Sequence, residues 1–291
     1  MGLHSYLTMQ KWALLNSMGL TNRKVNRQLE PAAWSSIESL GLATSTHRLT
    51  GGEYDELLSV PAAKPFLSYG YPHSKALEYL TSMSLGVLKE GEVLLDAAGG
   101  GDAEFVRVAR QYLPFSIVAY SQDAQLDGTD RDGIRFVGGS IDAVPLPDSS
   151  VDLITCHHSF EHFRGDIDIG FVREACRLMR HGGGRTVITP IFLTNRYAEI
   201  WNRRPDQHFD RTATQFVDRT AAFAGWGPYE GFARTYDVDA FCRRVIAELS
   251  NDVTASIHLV TLDDQPVPDP RKNRHIPILN RDMKALVLQR R

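Results

Sequence analysis

Residues 94–102 read Leu-Leu-Asp-Ala-Ala-Gly-Gly-Gly-Asp, and this run limits the chain's folding choices more than any other segment. A short apolar stretch, 92–97, ends in an acid and three glycines follow, with a helical pattern from residue 103. Only glycines let a backbone turn this tightly between strand and helix and still leave the main chain open to a ligand. In an open parallel sheet such a turn lies outside the carboxyl ends of the strands, where ligands bind. The spacing is not the dinucleotide fingerprint GxGxxG, and no P-loop lysine follows. Asp96, an acid at the strand end, suits a cationic ligand better than a pyrophosphate. The competing reading is a glycine-rich turn with only a structural job.

Further strands are predicted at 116–120, 133–137, 151–156 and 185–189, and helices at 74–88, 103–113 and 169–180. Pro114 stops one helix, and His181-Gly182-Gly183-Gly184 stops another. Strands alternating with helices in this way mean a parallel sheet covered on both faces. Segments 255–262 and 284–289 read as closing strands, 238–249 as a helix, and 1–60 as short helices. Composition, at 43% hydrophobic and 23% charged, excludes a disordered chain. A net charge of −3 argues against a nucleic-acid partner. No apolar run reaches the ~18 residues of a membrane span. The first 20 residues carry Gln10, Lys11 and Asn16 within their apolar stretch, so no signal peptide is expected. The 3 cysteines, Cys156, Cys176 and Cys242, are far apart and form neither a disulfide framework nor a zinc pair. A reducing, cytoplasmic setting is the expectation. The oligomeric state is not legible.

Taken in order, these features resemble the class I S-adenosylmethionine-dependent methyltransferases, in the broad methyltransferase type 11 group, over roughly residues 92–191. Asp96 matches the acid of the family's first motif and Gly100 its middle glycine, with Ala98 and Asp102 where glycines are usual. Asp123, in Tyr120-Ser121-Gln122-Asp123, stands for the acid after the second strand. The stretch 136–152 resembles the next loop, with Ser140, Ile141 and Asp142 at the adenine edge and Val144-Pro145-Leu146-Pro147 as its turn. Ser159-Phe160-Glu161-His162 resembles the Glu-His after strand four, and 173–184 the helix and turn before strand five. The resemblance implies a Rossmann-like α/β fold with a mostly parallel seven-stranded sheet. It places a helical N-terminal extension and lid at 1–72 and the methyltransferase domain at 73–291, with a substrate cap at about 192–250. It implies S-adenosyl-L-methionine as cofactor, held by Asp96, Ala98, Gly99, Gly100, Asp123, Ser140, Ile141, Asp142, Cys156 and, from the Tyr69–His73 loop, Tyr71.

The cluster Cys156-His157-His158-Ser159-Phe160-Glu161-His162 formally matches the HxxEH of zinc peptidases, but it follows a buried strand rather than lying on one helix. In the methyltransferase reading it lies beside the sulfonium methyl, where a neutral His can take a hydroxyl proton. His158 is the first candidate base, then His157, then His162. A divalent cation such as magnesium, near Glu161, is a further candidate. Segment 192–241 holds 11 of the 27 aromatics, with arginines interleaved. Tyr197, Trp201, Trp226 and Tyr229, with Glu161, are the expected acceptor contacts, because aromatic faces suit sugar rings. Segments 159–163 and 192–197 also resemble methyltransferase-like proteins of polysaccharide biosynthesis. The expected function is O-methylation of a sugar or polysaccharide hydroxyl, on a small-molecule or oligosaccharide acceptor. The alternatives are methylation of a small secondary metabolite or an amine, and a non-catalytic S-adenosylmethionine-fold binding protein.

Overall fold

Local chain chemistry sets the elements in order in a computed structural model that describes residues 23–69, 74–123, 125–202, 205, 209–218, 231–267 and 282–291. The N-terminal part forms helices α1 (Arg23–Gln28) and α2 (Trp34–Glu38), strand β1 (Ala43–Leu49) and helix α3 (Gly51–Ser59). Thr50 and Glu53 close a reciprocal capping box that starts α3. Beside its helices, then, the extension supplies a strand that sequence patterning did not predict. β1 reads ATSTHRL, mostly exposed, because it lies on a sheet edge where only backbone pairing is required.

Helix α4 (Ser74–Gly86) leads to β2 (Val93–Ala97), the glycine turn and α5 (Glu104–Tyr112). Leu94 through Ala97 are all buried, as a strand covered on both faces requires. In α5, Phe105, Val106, Val108 and Ala109 form the buried stripe. Then follow β3 (Val118–Gln122), the two-residue β4 (Asp130–Arg131), β5 (Ile134–Val137), β6 (Leu153–His157), a 3₁₀ turn (Phe160–His162), α6 (Ile167–Leu178) and β7 (Arg185–Thr189). β3 starts two residues later than apolarity suggests, because buried Ser121 and Gln122 belong to the strand.

After β7 the chain makes β8 (Ala198–Trp201), β9 (Thr214–Val217), β10 (Phe232–Thr235) and α7 (Val238–Arg244), then β11 (Val253–Leu262), β12 (Gln265–Pro266) and β13 (Lys284–Arg290). The main sheet runs β1-β11-β13-β7-β6-β2-β3-β5-β4, with β12 paired to β11. Within it β5, β3, β2, β6 and β7 are parallel, and β13 is antiparallel to both neighbours. The seven expected strands are thus extended by β1, β4 and β12. Chain order reverses between β2 and β6, the switch point where such sheets bind ligands. Two apolar cores cover the two faces. A separate sheet, β10-β8-β9, follows the parallel half.

That second sheet is fastened by buried charge. Arg234 on β10 bonds to Glu199 on β8 at 2.8 Å and to Asp168 on α6 at 2.9 Å, all three fully buried. Arg244 on α7 reaches Asp168 at 2.6 Å and Asp210 at 3.2 Å. Tyr236 donates to Asp168 at 2.7 Å. Arg234 also donates to the carbonyls of Phe163 and Gly165, at 3.2 and 2.9 Å, just past the 3₁₀ turn. Breaking such a network strands buried carboxylates, which costs about 3–5 kcal/mol. Arg234→Met is therefore expected to lose that much in urea unfolding, and a loss under about 1 kcal/mol would show the network to be dispensable.

Candidate active site

The carboxyl ends of β5, β3, β2 and β6 open on one edge, where the glycine turn, Asp123, loop 138–142 and residues 157–162 meet. Within the turn, Ala98 has φ +55° and Gly100 φ +69°. The two glycines at 99 and 100 do different jobs. A methyl on Gly99 would collide with the Asp96 carboxylate and the Ser121 hydroxyl. One on Gly100 would meet nothing within 4 Å, so the main chain there is bare. Asp102, at a position where the family has glycine, does not adopt positive φ.

Gln122 was missed by sequence reasoning. Its Oε1 accepts from Ala98 N–H at 3.0 Å and its Nε2 donates to the Gly139 carbonyl at 2.8 Å, tying three strand ends together. Asp123 lies one residue past β3. Its Oδ1 accepts from Gln125 N–H at 2.8 Å, and its Oδ2 is 3.7 Å from where a Gly101 Cβ would lie. Asp96 is buried: Oδ1 accepts from Thr155 Oγ1 at 3.0 Å and lies 3.3 Å from His157 Nδ1, while Oδ2 lies against Gly99. Ser140 is exposed, and Asp142 packs on Gly170 of α6.

Other expected cofactor contacts need correction. Ile141 and Cys156 have their side chains in the core. Burial, and then the Glu161 and Asp96 carboxylates, hold the Cys156 thiol far above its ordinary pKa. Tyr71 lies outside the described residues.

The three histidines fall into three different states. His157 is buried, with Nε2 2.8 Å from Ser82 Oγ, Nδ1 facing Asp96, and its ring against Tyr79 and Phe105. Both nitrogens are used inside the fold, which corrects the expectation that His157 could serve as a base. His158 has φ +46°, where a side chain is strained, so the chain leaves the strand direction here. Its Nε2 lies 2.9 Å from Glu78 Oε1 and its Nδ1 3.0 Å from Glu161 Oε1. Two carboxylates facing the ring favour its protonated form. Burial alone would lower its pKa, but the Glu78 charge and the hydrogen bonds to Glu161 and Glu78 prevail and raise it to about 9. A ring already protonated cannot take a proton, so the first-choice base is corrected as well.

His162 keeps the needed chemistry. Its Nδ1 is 2.6 Å from the carbonyl oxygen of Phe232 on β10. A carbonyl only accepts, so Nδ1 carries the hydrogen and Nε2 of the neutral ring carries the lone pair. Nε2 lies 3.6 Å from Glu161 Oε1, and 27% of the side chain is exposed. Burial would raise the Glu161 pKa, but the positive form of His162 and the bond from His158 pull it below the usual range.

Glu78 and Lys75 on α4 complete the cluster and were also missed. Lys75 Nζ is 3.7 Å from Glu78 Oε2. The available signal was an acid inside the apolar run Ala76-Leu77-Glu78-Tyr79-Leu80. Among the described residues, no group of three or more His, Cys, Asp or Glu could hold a metal ion, and no helix is long and apolar enough to cross a membrane.

The aromatic platform takes a different form from the expected one. Trp201 is buried, with Nε1 donating to Gln215 at 2.7 Å and its ring against Phe232. Tyr197 is buried, its hydroxyl donating to Asp210 at 2.8 Å. These rings present no free face, because the β8–β10 sheet packs them inward and satisfies their polar tips. Trp226 and Tyr229 lie outside the described residues.

His158 makes stability pH-dependent. Its folded-state pKa, about 9, lies above the ordinary 6.5, so protonation favours the folded state. The contribution is complete below pH 6.5 and disappears as pH rises through about 9. Its size is on the order of 3 kcal/mol, at ~1.4 kcal/mol per pKa unit. Urea unfolding of the wild type is expected to weaken between pH 7 and 10 by more than His158→Gln does. Parallel pH curves for the two proteins would refute the assignment.

Residues 95–186 match the family described as Methyltransferase domain, type 11. The chain carries a class I S-adenosylmethionine-dependent methyltransferase domain. Solved structures similar to it include the Burkholderia thailandensis 1,6-didemethyltoxoflavin-N1-methyltransferase, at 12% identity, over 90% of this chain and 94% of that one, with TM-score 0.44. A candidate methyltransferase of Haloferax volcanii, in complex with the Trm112 methyltransferase activator, matches at 14% identity over 81% of this chain and 96% of the other, TM-score 0.48. A candidate methyltransferase from an antibiotic biosynthesis pathway of Anabaena variabilis matches at 20% identity and TM-score 0.33, over 39% of this chain. The chain spans only 44% of that last protein's length. Within the matched segment the Gly100 backbone is bare, and Asp96 and Asp123 stand at the strand ends beside the glycine turn. Asp96, Gly99, Gly100 and Asp123 are the residues that would hold S-adenosylmethionine.

Proposed function

We propose that the chain methylates a hydroxyl of a small polar acceptor, with sugar hydroxyls as the first class to test. The observation that carries this is the His162–Phe232 hydrogen bond, which occupies Nδ1 and leaves Nε2, 3.6 Å from Glu161 Oε1, as the ring nitrogen able to take a proton. An alcohol is a poor nucleophile until its proton leaves, so a base within hydrogen-bond reach is what an O-methyltransferase needs. S-adenosylmethionine supplies the electrophilic methyl group when bound. The chain's own work is to hold the acceptor in line and to receive the proton at His162 Nε2. Glu161 then steadies the imidazolium that His162 becomes. The preference for a sugar rests on the resemblance of segments 159–163 and 192–197 to polysaccharide-biosynthesis proteins.

The test has two stages. Calorimetry with S-adenosylhomocysteine asks whether the cofactor binds. S-adenosylhomocysteine release is then followed over a panel of monosaccharides, uronic acids, phenols and amines. Turnover with the hydroxyl acceptors, the sugars foremost, is expected. Turnover confined to amines would overturn the hydroxyl reading, and tight binding with no turnover would favour a binding protein.

A further inference from the structure

Two unfavourable features coincide at one point of the fold. Glu78 on α4 is 0% exposed. Both of its oxygens, and Glu161 Oε2, are buried without a hydrogen bond of good geometry. Among the described residues, its charge is met by the His158 ring at 2.9 Å and Lys75 at 3.7 Å. A buried ion pair of this kind is commonly no better for stability than apolar side chains of the same size. One residue away from the catalytic strand end, His158 is also held at φ +46°, a conformation that survives only when its surroundings dictate it. Strain of this sort clusters where geometry serves function.

We propose that Glu78 is a positioning residue for methyl transfer, locking the His158 imidazolium between α4 and the 3₁₀ turn so that Glu161 and His162 are held in register with the helix. The proposal rests on the methyl-transfer reading of the same strand end. The link is continuous: Glu78 to His158 Nε2, His158 Nδ1 to Glu161 Oε1, and Glu161 Oε1 to His162 Nε2. The charged groups facing His158 are Glu78 and Lys75 from α4 and Glu161 and His162 from the 3₁₀ turn. Asp96 and His157 lie behind it on β2 and β6. Phe192 packs against its ring at 5.8 Å. Deleting the Glu78 charge removes the anchor on the helix side.

The experiment compares wild type with Glu78→Gln, and with Glu78→Leu as a second variant should Gln pack badly. Four readouts separate positioning from structure: melting temperature, S-adenosylhomocysteine affinity, the imidazole NMR titration of His158, and amide exchange across 159–163. The variants are expected to melt lower than wild type near pH 7, because the buried partner of His158 is gone, yet to stay folded at the assay temperature and to bind S-adenosylhomocysteine equally. The His158 midpoint should fall from about 9 toward 6.5. Exchange across 159–163 should quicken, and kcat on the best panel acceptor should drop roughly 10²-fold, as a misplaced catalytic group costs. A variant with an unmoved His158 midpoint and unchanged exchange overturns the proposal. So does a variant that is folded at the assay temperature and keeps wild-type kcat. Wild type failing to bind S-adenosylhomocysteine would sink the methyl-transfer reading instead, and the NMR and exchange results would still decide whether Glu78 locks His158.

Discussion

Replacing His162 by Asn is expected to lower turnover about 10²–10⁴-fold, the range of a lost general base. Asparagine keeps an N–H that can donate to the Phe232 carbonyl, as Nδ1 does at 2.6 Å, so the 3₁₀ turn stays anchored. What disappears is the lone pair at Nε2. Affinity for S-adenosylhomocysteine should hold, since the bonds His162 makes are to Phe232 and Glu161 and not to the glycine turn. Near-wild-type turnover with an unchanged pH profile would remove His162 from proton transfer and return the choice to a different acceptor chemistry.

Gly100→Val is expected to abolish measurable cofactor binding, a loss of at least ~10²-fold, with the fold kept. A Cβ there meets nothing within 4 Å, so the protein itself makes room for it. The positive φ of +69° adds only local strain, on the order of 1–3 kcal/mol. The added isopropyl group instead occupies the space a ligand needs to approach the backbone. Calorimetry with S-adenosylhomocysteine, alongside a thermal melt, checks both halves. Unchanged affinity in the folded variant would place the cofactor elsewhere. Gly99→Val is the useful contrast, because its side chain strikes Asp96 and Ser121 and should cost stability first.

What could be read from the sequence follows the range over which the cause acts. The glycine turn was legible because a strand, an acid and three glycines within nine positions already fix a local geometry. The alternation of strands and helices across 92–189 was legible because burial on both faces demands apolar runs. β1 was not, because an edge strand asks little of its side chains, and ATSTHRL looks like loop. The state of His158 was not legible either. Its charge depends on Glu78, which lies 80 positions earlier and meets it only after α4 packs across β6. The aromatics after β7 were numerous for a reason that composition cannot distinguish. Trp201, Tyr197 and Tyr236 fill a core, and their polar tips end on Gln215, Asp210 and Asp168. The same amino acids would have served as an open stacking surface had those partners been absent.

The bond from His162 to the Phe232 carbonyl has an evolutionary consequence. The carbonyl belongs to the small sheet. Backbone atoms do not mutate, so residues along β10 are free to change without disturbing the tautomer of a histidine 70 positions away. Insertions and register slips in that strand are not neutral in the same way, because they would swap the anchoring carbonyl for an N–H and reverse which ring nitrogen is available. Descendants of this chain should therefore conserve the length of that strand.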